Sequence, residues 1–337
     1  MTELLGLIII SFFTTSLFLL PFIDLLYYFR SKKIASSQTS VSKKSNTPIH
    51  DQLMKKDFDT PVGGGLLVIP IVLILNILVF YYSHLRINWE VIVIFFTMIT
   101  FGLLGLADDL RHIYSNTLGK FKGLSTGTIL LFQVVFAISV ALILFFKVGL
   151  NNIYIPVFGN IILGWWYIPL AVFAIVAFTN AYNISDGLDG LSTGLLTICL
   201  FAFLALVNSV FDQNLSVFVG IWIGALIAYL YFNVFPARIY LGDAGAFSFG
   251  ATLAVVGLLT GKILALAVIG GIYVMIILSS LLQILSKKFL KRKIIPVAPI
   301  HMYFKYIGWE EPKIVMRFWL AGSVFAIFGL WLALLSR

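Results

Sequence analysis

Residues 180–194 read NAYNISDGLDGLSTG, a polar, doubly acidic stretch marked by glycines and set between two long apolar runs. A carboxylate stranded inside or at the edge of a bilayer is costly, so acids in such a place mark a functional site by default. The flanking sequence says that a bilayer is there. Of 337 residues, 61% are hydrophobic and only 11% are charged, and the mean hydropathy is +1.04. No water-soluble globule has that balance; it belongs to a polytopic membrane protein.

A spanning helix needs about 20 apolar residues. Such runs fall at 4–28, 62–82, 89–107, 128–147, 165–180, 190–208, 215–232, 244–259, 263–286 and 314–335. The predicted fold is all-α, with about ten transmembrane helices forming one integral-membrane domain over 1–337. The first run begins with Thr2-Glu3 in place of a basic segment and is too long for a signal peptide, so it reads as a retained helix. Between the fourth and fifth runs, IYIPVFGNIIL (153–163) has β-formers on both flanks of Gly159-Asn160, which predicts a short exterior hairpin turning at that pair. No internal repeat argues for an inverted-repeat transporter.

Ten spans put both termini on one side. Alternate loops carry 19 lysines and arginines against 4 in the other set, so the first set is cytoplasmic and both termini lie outside. The same assignment brings Asp108, Asp109, Asp186, Asp189 and Asp243 to the cytoplasmic face, although only basic residues were counted. The net charge of +9 sits in these loops and not on a separate domain. That points to anionic headgroups or a phosphorylated substrate, and away from nucleic acid. The single cysteine, Cys199, lies in an apolar run and excludes both an internal disulfide and a cysteine metal cluster.

Asp108-Asp109 close the third run, where a helix C-terminus would prefer positive charge. Adjacent helical residues point about 100° apart, so one acid can face a cleft while its neighbour bonds elsewhere. Asn183, Asp186 and Asp189, spaced by three, share a face if the stretch is helical. Donors and acceptors so arranged suit a sugar, a base or Mg²⁺, and Gly187 and Gly190 permit close backbone approach. A bare helix N-terminus would explain the acids but not the asparagines. Asp243, in NVFPARIYLGDAGAF, suits either an N-cap or an ion ligand. Three acidic clusters on one face fit Mg²⁺ held by one or two carboxylates plus substrate phosphates. Lys122 in GKFKGL and His301 after Pro299-Ile300 add cations for phosphate; a lone histidine is more often structural.

In order along the chain, TPVGGG (60–65), GLADD (105–109), KGLS (122–125), NAYNISDGLDGLSTG (180–194), NVFPARIYLGDAGA (233–246) and PIHMYFKYIGWEEPKIVMRFW (299–319) resemble the polyprenyl-phosphate phosphoglycosyl transferases, the glycosyltransferase 4 family. Within it they are most similar to the phospho-N-acetylmuramoyl-pentapeptide transferase branch. The resemblance implies Mg²⁺-dependent transfer of phospho-N-acetylmuramoyl-pentapeptide from UDP-MurNAc-pentapeptide to undecaprenyl phosphate, with release of UMP, in peptidoglycan synthesis. It also implies ten helices, a cytoplasmic cleft, a bacterial plasma membrane and a homodimer. By motif position it assigns catalytic roles to Asp108, Asp109, Asp186 and His301, substrate contacts to Lys122, Asn183, Asp189 and Asn233, and the metal to Asp243.

The pattern departs at Met302 and Tyr303, where the family carries two further histidines, and at TPVGGG, where it has TPTMGG; Lys55 or Lys56 ahead of it stands near the family's uridine-side lysine. The histidine change leaves a UDP-N-acetylglucosamine sugar-1-phosphate transferase as the alternative. A cation-coupled transporter would scatter its acids through mid-helix across the bilayer, and an inactive scaffold would have lost at least one acidic cluster. Neither pattern is present.

Overall fold

The computed structural model describes residues 2–36, 60–118, 125–156, 158–209 and 212–335. Its helices are α1 (Thr2–Ser36), α2 (Gly64–Tyr82), α3 (Trp89–Leu118), α4 (Thr126–Ile143), α5 (Tyr167–Ser185), α6 (Leu191–Ser209), α7 (Gln213–Asn233), α8 (Asp243–Leu259), α9 (Ile263–Ile269), α10 (Gly271–Leu285), α11 (Ile300–Tyr306) and α12 (Glu311–Leu334). Among the described residues, nine helical segments are long and apolar enough to cross a membrane. The shorter α8, of 17 residues, makes a tenth apolar helix. The protein is an all-α multi-pass membrane protein, as its composition predicts.

Three elements differ from their expected bounds. Helix α3 does not end at 107 but runs on through LRHIYSNTL to Leu118, so Asp108 and Asp109 lie within a helix and not at its end. The run 263–286 is divided at Gly270 into α9 and α10. Phe178 packs so closely on Gly270 that a Cβ there would collide with its ring, and a Gly-Gly pair is a common place for a helix to break. The expected hairpin is present as β1 (Asn152–Ile155) and β2 (Gly159–Ile162), antiparallel, with Ile155 paired to Gly159. Gly159 and Asn160 are therefore paired residues of the second strand and not the turn. Gly159, with φ of 78°, opens the second strand from the left-handed region that favours glycine.

Helix α8 is the centre of the molecule. Every residue from Ala244 to Leu258 is buried, with α3 and α5 packed along it and α2 against its start. Helix α7 is nearly as enclosed, held by α1, α6 and α2. In lipid no hydrophobic force drives helices together, so association rests on close packing, small residues and interhelical hydrogen bonds. An aromatic column supplies part of that packing: Phe218, Trp222, Phe249, Tyr182 and Tyr273 follow one another across α7, α8, α5 and α10, with ring centroids 5.6–6.2 Å apart. Glycines supply the closest approaches. A Cβ at Gly105 of α3 would overlap the Asp243 carbonyl, and one at Gly65 of α2 would overlap the Gly245 backbone.

Replacing Gly105 or Gly65 by Ala is therefore expected to destabilise the protein by about 1–3 kcal/mol, the usual size of overpacking, despite alanine's better helix propensity. A Cβ at Gly6 meets nothing within 4 Å, so Gly6→Ala is the control. Thermal melting in detergent should show a lowered midpoint for the first two substitutions and not for the third.

Candidate active site

The polar end of the bundle is built around the 234–242 connection between α7 and α8. Three separate parts of the chain hold it. The TPVGGG stretch runs beside it: the Tyr240 N–H donates to the Pro61 carbonyl at 2.9 Å, the Gly63 and Gly64 N–H groups donate to the Tyr240 carbonyl at 3.0 and 2.9 Å, and the Gly65 N–H donates to the Leu241 carbonyl at 2.9 Å. Thr60 Oγ1 donates to the Ala237 carbonyl at 3.1 Å. These are the unsatisfied amides of a helix start, so α2 begins on the loop itself. From the opposite side, the Ala237 N–H donates to Asp189 Oδ2 at 2.9 Å, and the buried Asn233 donates from Nδ2 to the Ile239 carbonyl at 3.0 Å.

The loop delivers Asp243 to the first turn of α8. Gly242, with φ of 83°, is the N-cap residue and supplies no side-chain cap. The capping acceptor comes from another helix: Asp109 of α3 takes the Asp243 N–H on Oδ1 and the Ala244 N–H on Oδ2, both at 3.0 Å. Asp243 is thus not the cap of its own helix, and its carboxylate is available for other work. A carboxylate at a helix N-terminus also meets the positive end of the dipole.

Asp108, one residue from Asp109 and therefore on a different face of α3, is buried and lies within hydrogen-bonding reach of Asp243. Arg111, one turn on, approaches it at 3.5 Å. Asp109 and Asp186 also lie close enough for their charges to act on Asp243.

Asp186 and Asp189 do not share a helix face. Helix α5 ends at Ser185, Asp186 is its C-cap residue, and the chain turns through Gly190 (φ 76°) before α6 begins at Leu191. The turn separates the two acids. Asp186 accepts a hydrogen bond from Ser192 Oγ at 2.5 Å and lies close enough to affect Asp243, whereas Asp189 is turned to the 237 loop. Asn183 stays on the last turn of α5, half-buried. His301 is buried near the start of α11, beside the buried Met302 and the half-buried Tyr303 that replace the family's histidines. Lys122, like Lys55 and Lys56, lies outside the described residues.

Several residues that the motifs left unassigned prove to be braces. Glu311, in the first turn of α12, accepts the Asp189 N–H on Oε1 at 2.8 Å and pairs through Oε2 with Lys305 of α11 at 2.7 Å. It ties the acidic turn to the helix carrying His301. Trp309 is stacked by Arg317 at 4.3 Å from its ring centre and packs on Phe304 at 4.6 Å. Their signal in the sequence was the GWEEPKIVMRFW run, where an acid behind a proline position opens an apolar helix, but its partner 122 residues away has no local trace.

Among the described residues no three His, Cys, Asp or Glu side chains are gathered as a ready cage for a metal ion. Mg²⁺ does not require one, because it takes one or two carboxylates and keeps waters or phosphates for the rest. The adjacent Asp243 and Asp108 carboxylates fit that demand.

Paired carboxylates at the polar end of a membrane bundle suit a cation and a phosphorylated ligand, and similarity to known proteins gives the class. The chain belongs to glycosyl transferase family 4, whose sequence profile matches residues 91–261, a stretch containing all five acids. It is similar to the phospho-N-acetylmuramoyl-pentapeptide-transferase of Pelagibacter ubique (strain HTCC1062), 35% identical over 317 residues that cover 86% of this chain and 85% of the relative. The proteins of the same name from Chloroflexus aurantiacus (36% identical; 82% and 77% covered) and Oceanobacillus iheyensis (31%; 83% and 86%) are also similar.

One measurement follows from the capping geometry. Asp109→Ala removes both acceptors from the α8 terminus and is expected to cost about 1–2 kcal/mol, the range for losing a helix cap, read as a lower melting midpoint; Asn, which keeps one acceptor, should lose less.

Proposed function

We propose that this protein transfers phospho-N-acetylmuramoyl-pentapeptide from UDP-MurNAc-pentapeptide to undecaprenyl phosphate, giving the lipid-linked peptidoglycan precursor and UMP. The observation that carries this reading is the convergence of Asp108, Asp109 and Asp243 from two helices at one end of the bundle, in a chain similar along most of its length to proteins of that name. The excess of basic residues on the loops of that end supports a cytoplasmic site with both termini outside, in the plasma membrane of a bacterium. The whole chain acts as one catalytic domain, and the resemblance favours a homodimer.

The chemistry brings two anions together, so their repulsion must be offset. Mg²⁺ would be held by Asp243, with Asp108 beside it, and when bound it supplies positive charge to the diphosphate. The protein's own groups divide the remaining tasks. Asp109 and Asp189 hold backbone N–H groups and keep α8 and the 234–242 loop in place, which turns the proton transfer towards Asp108. It takes the proton from the lipid phosphate as that oxygen attacks the sugar-bearing phosphorus, and UMP departs. Asn183 and Asp186 face the nucleotide-sugar. Lys122 and His301 add positive charge for its phosphates.

Purified protein in detergent with Mg²⁺ and undecaprenyl phosphate is expected to release UMP from UDP-MurNAc-pentapeptide and not from UDP-N-acetylglucosamine. Release only from the second would overturn the donor assignment and would be explained by Met302 and Tyr303. Asp108→Asn should lower turnover by roughly 10²–10⁴-fold, the range for a missing general base, while leaving donor binding measurable by calorimetry. Near-normal turnover would remove that role from Asp108.

A further inference from the structure

The aromatic column that crosses the bundle ends on the acidic turn. Tyr182 of α5 and Tyr273 of α10 are both buried, and their rings stack with centroids 5.6 Å apart and planes 22° apart. The stacking limits where the Tyr273 hydroxyl can point. It donates to the Ser192 carbonyl in the first turn of α6 at 2.6 Å. Ser192 donates its own hydroxyl to Asp186 Oδ1 at 2.5 Å, a separation typical of a hydroxyl on a carboxylate. Side chains from α5, α10 and α6 thus form one connected line from the core to Asp186.

Asp186 stands where a carboxylate needs such a donor. It is the C-cap residue of α5, at the negative end of that helix dipole, and it lies close enough to Asp243 for their charges to interact. Both effects push the side chain away from the place that it holds. A hydrogen bond to a charged group is among the stronger ones in proteins, and this one opposes them.

The backbone of the turn is held by other bonds. The Asp186 N–H closes α5 on the Tyr182 and Asn183 carbonyls at 3.1 and 3.3 Å, the Leu191 N–H donates to the Leu188 carbonyl at 3.2 Å, and the Gly194 N–H donates to the Gly190 carbonyl at 3.0 Å. The Ser192 hydroxyl therefore acts on the Asp186 side chain and not on the course of the chain. Ser192 is 0% exposed, too deep to touch a ligand itself, whereas Asp186 is half-buried and reaches the surface of the site.

We propose that Ser192 is a positioning residue for the donor substrate: its hydroxyl holds the Asp186 carboxylate in the orientation that meets the nucleotide-sugar, and Tyr273 holds Ser192. This role rests on the assignment of Asp186 to the nucleotide-sugar. It adds a hydroxyl and a tyrosine from outside the acidic motif to the groups that select the donor.

Steady-state kinetics of the detergent-purified full chain with Mg²⁺, varying UDP-MurNAc-pentapeptide and undecaprenyl phosphate in turn, tests it. Ser192→Ala is expected to raise the KM for the nucleotide-sugar about tenfold, the scale of a lost hydrogen bond to a charged group, and to leave the KM for undecaprenyl phosphate unchanged. Tyr273→Phe keeps the Ser192 hydroxyl and should raise the same KM by a smaller factor; it carries the test alone if Ser192→Ala does not fold. A purely structural loss would reduce the amount of active protein, and so kcat, with both KM values unchanged. That result, or equal rises in the two KM values, would overturn the role while UMP release by the wild type left the donor assignment standing. If the wild type uses only UDP-N-acetylglucosamine, the donor assignment falls and the same comparison of KM values is made with that donor. No UMP release from either donor would overturn both.

Discussion

A helix that begins at a membrane edge must find acceptors for its first N–H groups, because the surrounding apolar layer offers none. In this protein the most enclosed helix, α8, finds them on a different helix: the two oxygens of Asp109 receive the Asp243 and Ala244 N–H groups. That bond fixes the height and rotation of α8 against α3. It also frees the Asp243 side chain from capping and sets it beside Asp108. Gly105, one turn before Asp109 on α3, lets the helices come close enough for the contact.

The loop before α8 obeys the same constraint. Backbone groups between Asn233 and Gly242 are paired with the start of α2, with Asp189 and with Asn233. Several residues whose types first point to ligands are thus occupied by backbone partners. They serve the site by holding still the few carboxylates that remain for chemistry, a division of labour seen wherever functional groups depend on a supporting layer. Glu311 extends the layer one step outward by linking the 186–190 turn to α11 through Lys305.

Much of this was legible in the chain. The ten apolar runs, the hairpin and the convergence of acids on one face follow from composition, run length and loop charge, which are local or additive properties. The errors came where a residue's conformation depended on a neighbour distant in sequence. Asp186 and Asp189 have helical spacing, yet Gly190 and the docking of α12 make them a turn. Asp243 has the position of an N-cap, yet the cap comes from a residue 134 positions earlier. Gly159 has the chemistry of a hairpin tip, yet the register of the strands pairs it with Ile155.

The sequence by itself determined that the protein spans a membrane many times and that Asp108, Asp109, Asp186 and Asp243 come to one end of it, because hydropathy and charge act residue by residue and cannot be overridden in lipid. The tertiary structure alone decided which acids are held by backbone N–H groups and which lie side by side. A carboxylate looks the same in the chain whichever it does, and only the packing of α3 against α8 puts a donor, or another carboxylate, in front of it.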